Sequence, residues 1–321
     1  MKTRDFYLNR FIEKHRLTDI NWLSSDASSR RYARVKRRKK SYILMDSPLM
    51  EKPKEFIQID KLLRHHSLPA PKIYAKNLRH GFLLLEDFGT IAMSAKIKNK
   101  KAAEDLYILA LDTLIKLQRQ VTKKEISHLH SAFDFMLKEN YLFIEYYVSK
   151  ILNIKLSTQA KKEFKQLWER LFQQVFKMPQ TLMLYDFHAD NIMIKEDNTL
   201  GLLDFQDAMR GPVFYDLVSL IEDERYPLPR ANRQKLIKHY LELCPVLASE
   251  KYAPWIDVVA AHRHTRVIGR FAVLAVKYNK PQYLGYIKND WLFLKENIKN
   301  PLLKEYQQWL KKYLPKQLKA H

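Results

Sequence analysis

The stretch that decides the fold covers residues 182–207 and reads LMLYDFHADNIMIKEDNTLGLLDFQD. It holds two apolar runs that end in acidic residues, and a turn-prone EDNT segment at 196–199 joins them. This pattern predicts a loop, a hairpin and a second loop. We expect that geometry to bring Asp186, Asn191 and Asp204 to one side.

These three side chains match the needs of phosphoryl transfer. A carboxylate must accept the proton of the attacking hydroxyl, and hard oxygen ligands must hold magnesium against the β- and γ-phosphates of ATP. Asp186 is the candidate base, while Asn191 offers a neutral carbonyl oxygen and Asp204 a charged one as metal ligands. Asp and Asn are also common turn and cap residues, but the third acid and the apolar flanks favour catalysis. The stretch therefore predicts a kinase that uses ATP and Mg²⁺.

The remaining sequence divides into two parts of different texture. Up to residue 87, short β-rich segments alternate with polar turns, and one prominent helix is predicted at about 55–66. Beyond it, apolar residues recur mainly at helical spacing. We expect an α+β protein with a small antiparallel N-terminal lobe and a larger helical C-terminal lobe. The first lobe (1–87) would bind nucleotide, and the second (88–321) would carry catalysis and acceptor binding.

Composition narrows the class of protein. With 321 residues, 46% of them hydrophobic, the chain can bury a sizeable core. Its apolar runs are too short to cross a bilayer, and charges interrupt the N-terminal segment where a signal peptide would need an apolar core. The single cysteine, Cys244, cannot form an internal disulfide, which fits a reducing compartment. We expect a soluble cytoplasmic protein with no membrane partner.

The formal net charge of +22 permits two interpretations. Lysines and arginines neutralise phosphates in nucleic-acid-binding proteins, and a basic surface also attracts small anionic ligands. Here the basic residues form short clusters along the whole chain, without a helix-turn-helix, zinc-finger or stacking-aromatic motif. A solvated basic face is favoured over nucleic-acid binding, and the oligomeric state stays open.

The motifs resemble those of the aminoglycoside phosphotransferase family. The D-x-H-x-x-N run at 186–191 and the L-D-F at 203–205 are similar to its catalytic and metal-binding loops. Several blocks, in order along the chain, resemble one branch, the anomeric N-acetylmuramate and N-acetylglucosamine kinases of peptidoglycan recycling: DASSRRYARV (26–35), YILMDSP (42–48), GFLLLEDFG (81–89), LDFQDA (203–208) and HRH (262–264). The resemblance implies a bilobal protein-kinase-like fold and phosphorylation of an amino sugar.

A nucleotide site in the N-terminal lobe is also implied by the resemblance. Kinases of this fold usually carry a phosphate-binding lysine on the third strand, but Met45 occupies that position here. An arginine is the expected replacement, because it contacts phosphate oxygens bidentately. The serine-rich loop before it lacks glycine, yet its small residues would let backbone N–H groups approach phosphates. The expected ATP-binding residues are Ser25, Ser28, Ser29, Arg30, Arg31, Arg34 and, against adenine, Leu85, Glu86 and Asp87.

Acceptor-binding residues are predicted less sharply. Glu139, in an aromatic-rich helical segment, and Asp207 are candidates. Arg263 and His264 lie at helical spacing amid apolar residues, so they are either satisfied buried groups or part of the acceptor pocket. We expect His188 to support the catalytic loop through hydrogen bonds rather than act as acid, base or metal ligand.

Two alternative functions stay open. In the first alternative, the chemistry is the same but the acceptor is an aminoglycoside or a choline-like amine. A basic chain argues against these cations and favours an anion such as the lactyl carboxylate of N-acetylmuramate. The second alternative is a noncatalytic pseudokinase that kept the fold as a binding module. The presence of all three catalytic side chains argues against it.

Overall fold

The computed structural model of the chain describes residues 3–23, 29–98 and 100–320. Its strands are β1 (Thr18–Trp22), β2 (Arg31–Arg37), β3 (Lys40–Asp46), β4 (Ile73–Asn77), β5 (Phe82–Glu86), β6 (Gln180–Met183), β7 (Ile192–Ile194), β8 (Leu200–Leu202) and β9 (Met209–Pro212). Its α-helices are α1 (Arg4–Lys14), α2 (Pro53–His65), α3 (Met93–Ile97), α4 (Lys100–Gln120), α5 (Phe133–Leu142), α6 (Thr158–Val175), α7 (Tyr215–Ile221), α8 (Arg230–Leu243), α9 (Trp255–Lys277), α10 (Ile287–Asn297), α11 (Lys304–Tyr313) and α12 (Pro315–Ala320).

The chain forms two compact units. The first comprises Met1–Ile97 and Ala189–Ala208, and the second comprises Lys98–His188 and Met209–His321. The first unit therefore contains β7 and β8, which come from the decisive stretch at 182–207. This division differs from the expected lobes in residues 88–97 and in that hairpin. The expected assignment of nucleotide and acceptor to 1–87 and 88–321 stays a prediction.

A five-stranded antiparallel sheet in the order β1-β2-β3-β5-β4 forms the centre of the first unit. Alternate residues of β2, such as Ala33 and Val35, are fully buried, as period-two side-chain alternation requires. They join a core to which α1 contributes Leu8 and Phe11. The sheet is tied to α1 by the buried Asp46, whose carboxylate accepts hydrogen bonds from Arg4 and Arg31. The helix predicted at about 55–66 is α2.

The hairpin of β7 and β8 packs onto the same unit through its backbone. The N–H of Ile194 donates to the carbonyl of Ile91, and that of Leu202 donates to the carbonyl of Pro69. Gly201 is required at this contact, because a Cβ there would lie 2.3 Å from the ring of Phe88. The position of the hairpin is therefore fixed on both of its strands.

The second unit is mostly helical and is built around α9. This helix is buried along most of its length, from Ile256 to Val273. It passes so close to the helical segment at Phe143–Ile151 that a Cβ on Gly269 would lie 2.5 Å from the backbone nitrogen of Phe143. That segment is a π-helix, an unusual conformation that is often found at functional sites. The β6–β9 pair completes the unit.

The fold confirms the predicted α+β class. An antiparallel sheet with a prominent helix makes up the first unit, and helices dominate the second. Among the described residues, every helix is too short or too polar to span a lipid bilayer.

Candidate active site

Asn191 and Asp204 lie at the same end of the β7–β8 hairpin. Ile192 pairs with Leu202, and the N–H of Leu203 donates to the carbonyl of Asn191 over 2.9 Å. Asn191 and Asp204 therefore flank the last rung of the ladder, one on each strand. Both side chains are partly exposed. The structure thus brings two of the three predicted catalytic residues together.

The carboxylate of Asp204 has one occupied and one available oxygen. Its Oδ1 lies 2.8 Å from Nη2 of Arg30 and accepts a hydrogen bond of 3.0 Å from Nε2 of Gln206. Its Oδ2 accepts no hydrogen bond from any described residue, and the side chain is 35% exposed. A carboxylate oxygen and an amide carbonyl oxygen, from residues at the same end of one hairpin, are donor types that suit Mg²⁺. Asn191 and Asp204 therefore fit a magnesium ion.

Gln206 is a site residue that sequence reasoning missed. Its side chain is buried, and its amide donates to Asp204 and, over 3.1 Å, to Oδ2 of Asp207. It therefore fixes the orientation of both carboxylates. The available signal was an amide placed between two acids in the sequence DFQD. Asp207 itself is paired with Lys52, so its predicted contact with the acceptor stays a prediction.

Asp186 belongs to the second unit, where a buried acid holds the chain just before it. Asp216 accepts hydrogen bonds from the N–H groups of Leu184 (2.7 Å) and Tyr185 (3.0 Å). Burial and the negative charge of Asp186 raise the pKa of Asp216 to about 7, although these two bonds lower it. Asp186 itself is partly exposed, as a base that meets its substrate must be.

The backbone adopts the left-handed conformation once in each of the two candidate loops. Tyr185 (φ +75°) precedes the candidate base, and Asp204 (φ +58°) is a candidate metal ligand; both are in the left-handed region. Residues other than glycine rarely adopt that conformation, and when they do they cluster at functional sites. The same conformation occurs at eight other described non-glycine residues, among them Arg16 and Asn279, so it marks turns as well as candidate sites.

Arg266 supports the strained residue beside Asp186. Its guanidinium lies over the ring of Tyr185, 4.5 Å from the centroid, and its Nη1 donates to the hydroxyl of Tyr185. Burial alone would lower the pKa of Arg266, but Tyr185, Tyr215 and Asp186 raise it. A buried positive charge therefore stays close to Asp186.

His188 follows Asp186 by two residues, and its N–H donates to the carbonyl of Asp186 over 3.1 Å. Burial lowers the pKa of its ring well below the usual range, and Arg225, Arg263 and Arg266 lower it further. The imidazole is therefore neutral near pH 7. A neutral ring among arginines favours the expected supporting role over that of a proton donor.

Arg263 and His264 are buried in ion pairs. Nη1 of Arg263 donates to the carbonyl of Glu222 and lies 2.9 Å from a carboxylate oxygen of Glu224. The ring of His264 contacts Asp290 at 2.8 Å and Glu222 at 2.9 Å. With exposures of 3% and 0%, these side chains present almost no surface to an acceptor. The structure favours the first of the two interpretations, that of satisfied buried groups.

Glu139, the other acceptor candidate, is buried on α5 and forms an ion pair with the half-exposed Arg270 of α9. Its charge influences both Tyr185 and Arg266. Glu139 is therefore close to the loop that carries Asp186.

The expected phosphate-binding loop is described only at its end, because Ser25 and Ser28 lie outside the described residues. Ser29 donates through its N–H and its hydroxyl to Oε1 of Glu51. Leu85 and Glu86 are on β5. The N–H of Glu86 donates to the carbonyl of Lys72. An adenine that bound this N–H would have to replace that hydrogen bond.

Two of the three candidate arginines are held by carboxylates of the sheet. Arg31 binds Asp46 on β3. Arg34 binds both oxygens of Asp87, at 2.7 and 3.2 Å, and the carbonyl of Gly89 at 2.8 Å. Burial would raise the pKa of Asp87, but its hydrogen bonds with Arg34, Ser41 and Gly89 lower it. Arg34 and Asp87 therefore brace the end of β5.

A first unit with candidate oxygen ligands on a hairpin, and a second unit with a partly exposed aspartate after an anchored segment, are features expected of a phosphotransferase. Comparison with known proteins agrees. Residues 19–255 match the phosphotransferase enzyme family, APH. The N-acetylmuramate/N-acetylglucosamine kinases of Pseudomonas putida and Pseudomonas aeruginosa are 33% and 30% identical to the chain, and each alignment covers 86% of the chain and 82% of the relative.

Solved structures share the fold at low sequence identity. An ethanolamine kinase of Plasmodium vivax has a TM-score of 0.65 at 13% identity, covering 91% of this chain and 89% of its own. The gentamicin complex of APH(2″)-IIa has a TM-score of 0.62 at 15% identity, covering 94% and 98%. The chain belongs to the APH phosphotransferase family and is an ATP-dependent kinase, as its motifs predict.

Proposed function

We propose that this kinase phosphorylates the anomeric hydroxyl of N-acetylmuramate or N-acetylglucosamine and releases a sugar 1-phosphate and ADP. The two Pseudomonas relatives are named as N-acetylmuramate/N-acetylglucosamine kinases. The observation that carries the chemistry is the position of Asn191 and Asp204 at the same end of the β7–β8 hairpin, shortly after the loop of Asp186, whose preceding backbone Asp216 anchors. The product is one that peptidoglycan recycling in the cytoplasm would use, and the single cysteine is consistent with that compartment.

Asp186 acts as the general base. Its carboxylate orients the anomeric hydroxyl and accepts the proton while the hydroxyl oxygen attacks the γ-phosphorus of ATP. A bond forms between that oxygen and phosphorus, and the bond from phosphorus to the β–γ bridging oxygen breaks. ADP leaves with the electron pair. Arg266 places a buried positive charge close to Asp186, and Asp216 holds the backbone that precedes it.

Asn191 and Asp204 would hold the magnesium ion, which would neutralise charge on the phosphates. Gln206 keeps the Asp204 carboxylate in place. The nucleotide is assigned to the N-terminal lobe, 1–87, with adenine against 85–87, and the acceptor to the remainder of the chain.

The acceptor is proposed to be a sugar rather than a cationic amine. A cationic acceptor requires carboxylates that are free to bind it. Glu139, the acidic candidate near the catalytic loop, is already neutralised by Arg270. The net charge of +22 also disfavours a cation and favours an anion.

An ADP-release assay with ATP and magnesium tests the function on N-acetylmuramate, N-acetylglucosamine, kanamycin and choline. We expect turnover on the two sugars, and we expect Asp186→Asn to lower kcat by about 10²–10⁴-fold, the usual contribution of a general base. Circular dichroism and ADP binding check that the variant is folded. An active, folded Asp186→Asn enzyme would remove the base from the mechanism. Turnover on an amine alone would keep the chemistry and reject the sugar.

A further inference from the structure

Two cations of the first unit reach the loop that follows β8. Arg30 Nη2 lies 2.8 Å from Asp204, and its side chain is only 8% exposed. Lys52 contacts Asp207, and its side chain is 52% exposed. A lysine this exposed is screened by water, whereas a buried guanidinium is held where it is. The cation at Asp204 is therefore a built feature of the site.

Arg30 differs from the other arginines of its strand region. Arg31 and Arg34 are bound to Asp46 and Asp87, which are acids of the sheet. Met45, at the position where a phosphate-binding lysine is expected, is fully buried in the core. Of the three arginines predicted to replace that lysine, Arg30 is the one whose charge is directed at a candidate metal ligand.

A second carboxylate holds the other side of the Arg30 guanidinium. Oε2 of Glu51 lies 3.5 Å from Nε, while Oε1 of Glu51 accepts hydrogen bonds from Ser29. Burial would lower the pKa of Arg30, but Tyr32, Asp204 and Glu51 raise it. The guanidinium is therefore charged, with Glu51 near its Nε and Asp204 at its tip.

Arg30 and a metal ion compete for Asp204. Positive charges that share one carboxylate repel each other, and the repulsion is strong where water is partly excluded. A divalent ion at Asp204 therefore weakens the ion pair with Arg30. The displaced guanidinium then needs another anion, because a buried arginine cannot lose its proton.

We propose that Arg30 is an exchangeable cation: it neutralises Asp204 in the empty enzyme and turns to the phosphates of the nucleotide when magnesium binds Asp204. The inference rests on the proposed function, since it takes Asp204 as the ligand of a magnesium–nucleotide complex. Glu51 stays near Nε as the pivot, and the two Nη groups contact phosphate oxygens bidentately. No covalent bond changes in the exchange.

The exchange links metal and nucleotide affinity. A metal ion alone must break the Arg30–Asp204 pair without compensation, whereas metal and nucleotide together supply a new anion for Arg30. Each ligand therefore strengthens the binding of the other, as reciprocal linkage requires.

Arg30→Gln separates the two roles. Isothermal titration of ADP in magnesium should show affinity about tenfold or more weaker, because a charge-assisted contact to phosphate is lost. Titration of Mn²⁺ alone, followed by electron paramagnetic resonance, should show affinity roughly threefold or more tighter, because a competing ion pair of modest strength is gone. Changes of opposite sign are the signature of exchange.

Lys36→Gln is the matched control. Lys36 is a cation of β2 that also pairs with an aspartate, Asp19, at 3.0 Å. Among the described residues, Lys36 makes no contact with Asp204. Both affinities should stay at the wild-type value. Should Arg30→Gln fail to fold, Arg30→Lys replaces it, because lysine keeps the positive charge. ADP affinity should still fall, because the bidentate contact is lost, but Mn²⁺ affinity should not fall.

Two results overturn the exchange. If Arg30→Gln weakens ADP and Mn²⁺ together, Arg30 only maintains the shape of the site; if it changes neither, Arg30 has no role in binding. Wild-type protein that binds no ADP in magnesium would reject the proposed function as well. Wild-type binding that the variant leaves unchanged would reject the exchange alone.

Discussion

Asp60 illustrates how a single residue sets a pH dependence in this protein. It is on α2, is 2% exposed, and its Oδ1 has no hydrogen-bond partner among the described residues. Burial raises the pKa of Asp60 to about 7, and the negative charge of Glu86 adds to the effect, although Arg64 and Lys61 oppose it. The folded protein therefore binds a proton that the unfolded chain releases at a lower pH.

Asp60→Asn should consequently stabilise the protein above pH 7. Because the folded-state pKa of Asp60 is raised, its contribution to the free energy of unfolding is highest below about pH 4. That contribution decreases as the pH rises toward 7. The amide carries no charge, so the variant should gain on the order of 2–4 kcal/mol at pH 8 and little at pH 4. Urea unfolding at both pH values measures this.

Asp105→Asn is the control for that change. Asp105 is an exposed aspartate on α4, and the same substitution there should leave the pH dependence of unfolding as it is. A stability difference between wild type and Asp60→Asn that is equal at pH 4 and pH 8 would show that Asp60 does not titrate between them.

At the scale of elements, the β7–β8 hairpin positions the two proposed metal ligands, Asn191 and Asp204, and Gly201 sets the distance of the hairpin from Phe88. Gly201→Ala places a Cβ where the Phe88 ring now lies. We expect a loss of about 1–3 kcal/mol in unfolding free energy, as overpacking produces, together with weaker Mn²⁺ binding. Unfolding and metal titration of the same sample measure both effects.

A second substitution tests the cause. Phe88→Leu removes part of the ring that the new methyl group meets, so Gly201→Ala/Phe88→Leu should recover metal affinity relative to Gly201→Ala alone. A double variant no better than the sum of the single ones would show that the ring contact is not what Gly201 protects.

Elements were also where sequence reasoning reached furthest. Apolar runs with breakers on both sides predicted the hairpin, because β7 and β8 can bury those runs only by pairing. Asn191 directly precedes one run and Asp204 directly follows the other, so both residues were expected at the same end of the hairpin. The helix predicted at about 55–66 agrees with α2 within two residues at each end, and Pro69 and Pro71 signal its end.

The partners of charged side chains were not predictable in this way. Arg30, Arg31 and Arg34 are equivalent in the sequence, yet they bind acids that lie 174, 15 and 53 positions away. Long-range ion pairs depend on tertiary geometry and leave no periodic trace. Gln206 was missed for the same reason, since an amide between two acids also occurs in ordinary turns.

At the scale of the whole molecule, the net charge of +22 distinguishes the two proposed sugars. N-acetylmuramate is an anion and N-acetylglucosamine is neutral, so the basic field raises the local concentration of the first alone. Salt screens that field, with a Debye length of about 10 Å at 0.1 M. Raising the salt from about 0.05 to 0.5 M should therefore increase KM for N-acetylmuramate several-fold and leave KM for N-acetylglucosamine nearly constant. Equal salt effects on both sugars would mean that the basic surface has no part in substrate capture.

The proposed metal ligands, Asn191 and Asp204, lie on a segment that leaves the second unit and returns to it. Residues 189–208 pack with the first unit, while the segments on either side of them belong to the second. A single cut therefore cannot yield a self-sufficient first unit: a fragment ending at residue 97 contains the sheet but neither Asn191 nor Asp204. The two units are interwoven in sequence. One crossover between the genes of two relatives therefore cannot exchange one whole unit without part of the other.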